Sequence, residues 1–223
     1  MTAQLGSSGV PTVQSLDQYK VVLPGWEAIT QTIYDSNAYA AAGQAQLAFF
    51  TTPSGSGGKT NSDTNMQLAG QLPANNQQLV TSIELKFCPT VPAVTAQNPA
   101  AFGAQVVAAI VNDVYVFYHQ GNLQFYIGNK IYLLEGPLGR FPSKTSFDVS
   151  AALADVSTAG ASFQSRIAYA QAGGRPYLLR APLLIQPTQA FTFTLNWPEG
   201  VQAITNPAKI WAILDGVFYR LAQ

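Results

Sequence analysis

The sequence predicts a mainly β protein, a sandwich or barrel of about eight to ten antiparallel strands with one or two short helices. Three observations carry that expectation. Short stretches in which apolar and polar residues alternate recur along the chain, the pattern of a strand buried on one face. Turn sequences bearing Gly, Asn or Pro separate them. Helical signals are confined to two short segments.

Residues 1–24 read as an extended arm, rich in Ser, Gly, Thr and Gln and ending in Val21-Val22-Leu23-Pro24. Fully extended, such an arm spans roughly 80 Å. Val10, Val13 and Leu16 give it apolar positions with which to dock. Residues 25–223 read as one domain. A strand is expected over 46–51, followed by a long loop at 52–71. Ser82-Ile83-Glu84-Leu85-Lys86-Phe87 alternates apolar and polar, and a second long loop follows at 89–99. Long loops inside a compact domain are commonly functional or disordered. Asn98-Pro99 has the form of an N-cap with Pro at the first helical position, opening a helix over 100–111. Gly103 and the β-branched residues of 106–111 also allow a strand to begin at Val106. Residues 113–118 read as a strand. A hairpin is expected over 122–134, with Gly128-Asn129 at its turn. Ser146 can cap a short helix through Ala154, with Phe147, Ala151, Leu153 and Ala154 near one face. Strands are expected at 163–169 and 177–185, and Phe191-Thr192-Phe193-Thr194-Leu195-Asn196-Trp197 alternates strictly. Asp215-Gly216 reads as the turn of a last hairpin between 209–214 and 217–221.

Composition narrows the function. Charged residues make up 10% of the 223, against about 25% in an ordinary soluble domain. Amides, hydroxyls and glycine replace them. A polar surface with little charge repulsion favours association, although a secreted β domain can share this composition. Eleven basic residues balance eleven acidic ones, which speaks against a protein whose task is to neutralise phosphate. The single cysteine, Cys88, rules out an intramolecular disulfide, and the single histidine, His119, leaves a Cys/His zinc site short of ligands. The first ten residues carry neither a basic nor an apolar leader region, and no run approaches about 20 apolar residues. Synthesis in a cytoplasm is the expectation.

The motif that invites a chemical reading is Gly55-Ser56-Gly57-Gly58-Lys59-Thr60. It is similar to a phosphate-binding loop, but the pattern needs Gly where Pro53 stands and a helix where Asn61-Ser62-Asp63-Thr64-Asn65 reads as more loop. A flexible surface loop is the expectation. His119 is the one imidazole base, and no Gly-x-Ser-x-Gly elbow accompanies it. A Cys88–His119 pair is conceivable, yet Cys88 precedes Pro89 at the end of a strand, a structural setting. A glycosidase needs only two carboxylates about 5–9.5 Å apart, but the acidic residues are scattered. Glu84 reads as solvated surface, Asp215 as a turn residue and Asp148 as a first-turn helix residue. Tyr118, Tyr126 and Tyr132 are candidates for exposed aromatics. Arg140, Lys144, Arg166, Arg175 and Arg180 are too widely spaced for a nucleic-acid stripe and read as interface or loop charges. No catalytic, cofactor-binding or metal-binding residue is expected.

The layout resembles the jelly-roll capsid proteins of tailless icosahedral bacteriophages. The resemblance rests on the Gln/Ser/Thr-rich arm, the short strands and the long loops. It rests also on Gly136-Pro137-Leu138-Gly139-Arg140-Phe141-Pro142 after the hairpin, and on Gly174-Arg175-Pro176-Tyr177 through Leu183-Leu184-Ile185-Gln186-Pro187 leading into 191–197. It implies a single jelly-roll β-sandwich and a non-enzymatic, self-assembling shell subunit located in the virion. Its partners would be other copies of itself, with no small-molecule substrate. Many capsid arms are basic, whereas residues 1–24 hold only Lys20 against Asp17. The arm would therefore tie subunits together or face an internal membrane or another virion protein, and no specific nucleic-acid binding is expected. The alternatives are a phage fibre or spike head, a carbohydrate-binding β-sandwich, and, third, a carboxylate-based glycosidase.

Overall fold

The structure, a computed structural model, describes residues 25–89, 104–142, 145–154, 164–200, 203–205 and 207–222. The expected arm, the cap at Asn98-Pro99 and nearly all of the loop at 89–99 lie outside the described residues. The described chain is mainly β, with antiparallel sheets and one α-helix. In chain order it runs β1 (Trp26–Ile29), β2 (Ile33–Tyr39), β3 (Gln46–Phe49), β4 (Asn76–Pro89) and α1 (Ala104–His119). It continues with β5 (Asn122–Ile127), β6 (Lys130–Glu135), a 3-10 turn (Leu138–Arg140), β7 (Thr145–Ala154) and β8 (Gln164–Gly173). The last elements are β9 (Tyr177–Ile185), β10 (Phe191–Asn196) and β11 (Ala208–Leu221).

One sheet has the order β1–β11–β4–β9, and β2 pairs with the same edge of β11 as β1 does. β2 takes residues 208–214 of β11 and β1 takes 218–221, so the two form one edge interrupted at residues 30–32. The second sheet has the order β3–β10–β5–β6. β7 and β8 pair with each other over ten residues.

The two sheets share one core. Ile83, Leu85, Ala212 and Leu214 come from the first sheet, and Phe49, Leu123, Phe125, Phe193 and Leu195 from the second, all fully buried. The alternation in 191–197 supplies the centre. Phe193 is edge-on to Phe49 at 5.8 Å and to Phe125 at 5.9 Å. Such ring pairs add about 0.5–1.5 kcal/mol each beyond their buried area.

β4 and β11, of 14 residues each, pair along their whole length. Here the expected hairpin at Asp215-Gly216 is corrected: β11 runs straight through, and the pair is a bulge at which the register with β4 shifts. A Cβ on Gly216 would lie 1.8 Å from the Leu79 carbonyl oxygen, so the glycine serves close strand approach rather than a turn. The bulge explains why Ile83, Leu85 and Phe87 face the core while Val80, at even parity, does so too.

Two further expectations are corrected. Residues 113–118 form the last turns of α1, not a strand. Asp113 and Phe117, four apart, are buried, and Tyr115 and His119, four apart, are exposed and stacked at 4.9 Å. Residues 145–154 form β7, not a helix, and Asp148 is a strand residue. Phe147, Val149, Ala151 and Leu153 fall at every second position, which suits the strand that β8 completes. The hairpin around Gly128-Asn129, the strand at 177–185 and the strand over 191–196 stand as expected.

The final turn of α1 locks onto the first sheet. Phe117 stacks on Phe87 at 4.4 Å, and Tyr118 Oη donates to the Leu85 carbonyl at 3.0 Å and accepts from the Phe87 amide at 3.3 Å. Burial pushes the Tyr118 phenol up to about 12, as expected of a hydroxyl used as a neutral clamp. Leu138 and Phe141, both fully buried, flank the 3-10 turn and close the core beside β4, where Phe141 accepts from the Leu85 amide at 3.0 Å.

Candidate functional site

The glycine-rich motif resolves first. After β3 the chain turns over the outer edge of β2, with left-handed backbone at Gly55, Gly57 and Gly58. No helix follows Lys59-Thr60; residues 61–63 form turns. Lys59 Nζ instead reaches into the fold and donates to Asp35 Oδ1 at 2.6 Å. Asp35 is fully buried on β2, and its other oxygen accepts the Phe50 amide at 2.6 Å. The ammonium that a phosphate would need is therefore committed to a buried carboxylate, and the loop is pinned rather than flexible.

The same loop is fastened a second time. Asp63 accepts from the Thr60 amide and hydroxyl at 2.9 Å each, closing its own turn. It also pairs with Lys209 of β11, whose ammonium lies 4.9 Å from the Trp211 ring centroid. The Lys209 hydrogen bond, then those from Thr60, hold the Asp63 carboxyl well below the usual carboxylate range. Asn65 bridges back to the start of β2, accepting from the Tyr34 amide at 3.0 Å and donating to the Thr32 carbonyl at 2.6 Å.

The second sheet presents a different surface. Its outward face holds amides, hydroxyls and one phenol. Gln46 donates to Asn196 at 2.7 Å, and Asn196 donates to Thr194 at 3.1 Å. Gln124 donates to Asn122 at 3.2 Å, and Tyr126 donates to Gln124 at 2.9 Å. The charged residues of its strands, Lys130 and Glu135 at the ends of β6, stand opposite the buried Ile127 and Leu123 and so off this face. β6 is also the edge of this sheet, pairing among the described residues with β5 alone. A register shift between Phe125 and Tyr126 sets Ile131 opposite Tyr126 and Leu134 opposite Gln124, so both turn outward. Ile131 and Tyr132 are each 50% exposed and Leu134 is 59% exposed. An apolar edge strand of this kind is a ready template for another chain.

The remaining sequence candidates are dispersed. Cys88 stands opposite Lys209 at the end of β4, and burial pushes its thiol up, the wrong direction for a nucleophile. His119 is exposed at the end of α1 and stacked on Tyr115. Glu84, read from the sequence as solvated, is 4% exposed, on β4 opposite Ile213 of β11. Asp215 is buried at the bulge. Of the tyrosines, Tyr118 is a helix clamp, Tyr126 belongs to the polar face and Tyr132 is exposed. Arg140 pairs with Glu135 and lies 5.7 Å from the Tyr177 ring centroid, while Arg175 and Arg180 are exposed. The side chains of Lys144 and Arg166 lie outside the described residues.

Sequence reasoning missed Asp35 and the outward turn of Ile131 and Leu134. A lone Asp beside Ser36 and Asn37 announces no partner, and a bulge leaves no mark in a six-residue strand. Among the described residues no group of three His, Cys, Asp or Glu side chains is placed to hold a metal ion, and no helix is long and apolar enough to cross a membrane. The chain matches no protein-family model and no curated protein sequence.

Proposed function

We propose that this protein is a structural, self-assembling subunit, built on a jelly roll, of the shell of a tailless icosahedral phage. The observation that carries the reading is the uncharged outer face of the second sheet ending in the apolar edge strand β6. Association there meets no charge repulsion and covers Ile131, Tyr132 and Leu134. Interfaces are depleted of charge at their centres and enriched in tyrosine, in the same sense.

The strand order supports the jelly-roll part. With β1 and β2 counted as one interrupted strand and the β7–β8 hairpin set aside as an insertion, eight strands remain. The sheets then read first–eighth–third–sixth and second–seventh–fourth–fifth. Every strand of the first half pairs with its mirror in the second half: first with eighth, second with seventh, third with sixth, fourth with fifth. One long hairpin rolled into two sheets, the double Greek key of a jelly roll, has this pairing, and the order supports that reading.

Light scattering with negative-stain imaging, across salt and protein concentration, tests the reading. Closed shells, or rings and trimers that polymerise, are expected. A wild-type protein that stays monomeric throughout overturns it.

A further inference from the structure

Where β1 passes into β2, the pinned loop leaves a depression with two chambers. The outer one is a shallow groove of about 820 Å³. Its walls are Thr30, Thr32, Tyr34, Ser54 and Asn61, all neutral. Gln31, Asn65, Met66 and Gln67 line it and also the inner chamber, of about 130 Å³, so the two adjoin. The inner walls are apolar at Ile33, Leu72 and Phe218, and polar at Asn76 and Arg220.

Asn76 makes the inner chamber informative. It is 9% exposed, and its Oδ1 is buried with no hydrogen-bond partner in the protein. A buried acceptor left unsatisfied is costly, so the chamber is suited to a group that brings a donor. Arg220, on β11 directly opposite Asn76 of β4, donates one N–H to Glu27 at 3.0 Å. Its guanidinium carries further donors for an acceptor. No carboxylate lines either chamber, and Glu27 balances the one cation.

We propose that this depression binds an N-acetylated hexosamine of a glycan, with the acetamido group in the inner chamber. The acetamido methyl packs on Ile33, Leu72 and Phe218, its N–H donates to Asn76 Oδ1, and its carbonyl accepts from Arg220. The sugar ring lies in the neutral groove, where Gln31, Gln67 and the threonines offer both donors and acceptors to hydroxyls. Asn65, held by Tyr34 and Thr32, is a fixed wall between the chambers. This site lies on the first sheet and is independent of association through the second.

Saturation-transfer NMR on the full chain, in whatever oligomeric state it adopts, tests the proposal. N-acetylglucosamine and N,N′-diacetylchitobiose are the probes, with glucose and cellobiose as controls. The acetamido methyl should receive the strongest transfer, and the controls should bind about tenfold more weakly or not at all. Asn76→Leu should weaken the acetylated sugars about tenfold without improving the controls. Because Asn76 is buried, Gln67→Ala at the exposed mouth is the second variant, and it too should weaken binding. The proposal is overturned by no transfer to either acetylated sugar, by glucose binding as well as N-acetylglucosamine, or by affinity unchanged in both variants.

Discussion

Lys59 Nζ lies 2.6 Å from Asp35 Oδ1, joining the tip of the glycine-rich loop to a carboxylate that is fully buried in the first sheet. The pair does more than neutralise Asp35. The second Asp35 oxygen accepts the amide of Phe50, a buried residue held at φ 63°, a conformation that disfavours a bulky side chain. One ion pair thus fixes the end of β3, the loop that follows it and the groove between that loop and β2.

Lys59→Met should destabilise the fold by about 3–5 kcal/mol, because it leaves a buried charge without its partner. Urea unfolding measures it. Adding Asp35→Asn should return most of the loss, since the amide oxygen can still accept from Phe50. A Lys59→Met protein as stable as wild type would show that the pair does not hold the loop to the sheet.

Asp63 predicts a pH dependence. Its folded pKa is depressed by Lys209 and Thr60, so the folded state favours the ionised form. The stabilisation is complete above the ordinary carboxylate value of 3.8 and is lost as pH falls below it toward the depressed folded value. Wild type should therefore melt at a higher temperature than Asp63→Asn at pH 6, and the gap should shrink below about pH 4. Thermal melts of both proteins across that range check it. A gap that is constant with pH would contradict the pairing.

Gly216→Ala should cost about 3 kcal/mol or more, since the new methyl would collide with the Leu79 carbonyl across the bulge. The loss appears as a lowered denaturation midpoint. Gly128→Ala, at the exposed β5–β6 turn with nothing within 4 Å of its Cβ, should cost only the strain of its positive φ, about 1 kcal/mol. Equal losses at the two sites would refute the close approach at the bulge.

The double substitution Ile131→Lys and Leu134→Lys should leave the melting temperature within a few degrees, because both side chains are exposed. It should abolish or strongly reduce assembly by placing like charges on the β6 edge. Sedimentation of variant and wild type compares them. Normal assembly by the variant would remove β6 from the interface.

A chain lacking residues 1–20 should keep the circular dichroism of the full protein and fail to form closed shells. Normal shells from the truncated chain would end any bridging role for the arm.

The sequence by itself determined the class of this fold and many of its strands. Period-two alternation at 82–87 and 191–197 marks one-sided burial, because side chains on a strand point to opposite faces whatever its neighbours are. Gly128-Asn129 marks a hairpin through the dihedral angles a tight turn demands. It also showed a chain poor in charge, 10% of its residues. Tertiary structure decided what depends on who lies opposite. Residues 113–118, rich in valine and aromatics, suit a strand, yet continue α1 because Phe117 finds Phe87 and Tyr118 finds the backbone of β4. Asp215-Gly216 has the composition of a turn, yet β4 holds both halves of β11 in one strand. The loop that carries Lys59 reads as flexible surface, yet Asp35, 24 residues earlier, takes the ammonium and pins it. In each case the local pattern allows two structures of similar free energy, and contacts between distant segments, absent from any short window of sequence, separate them.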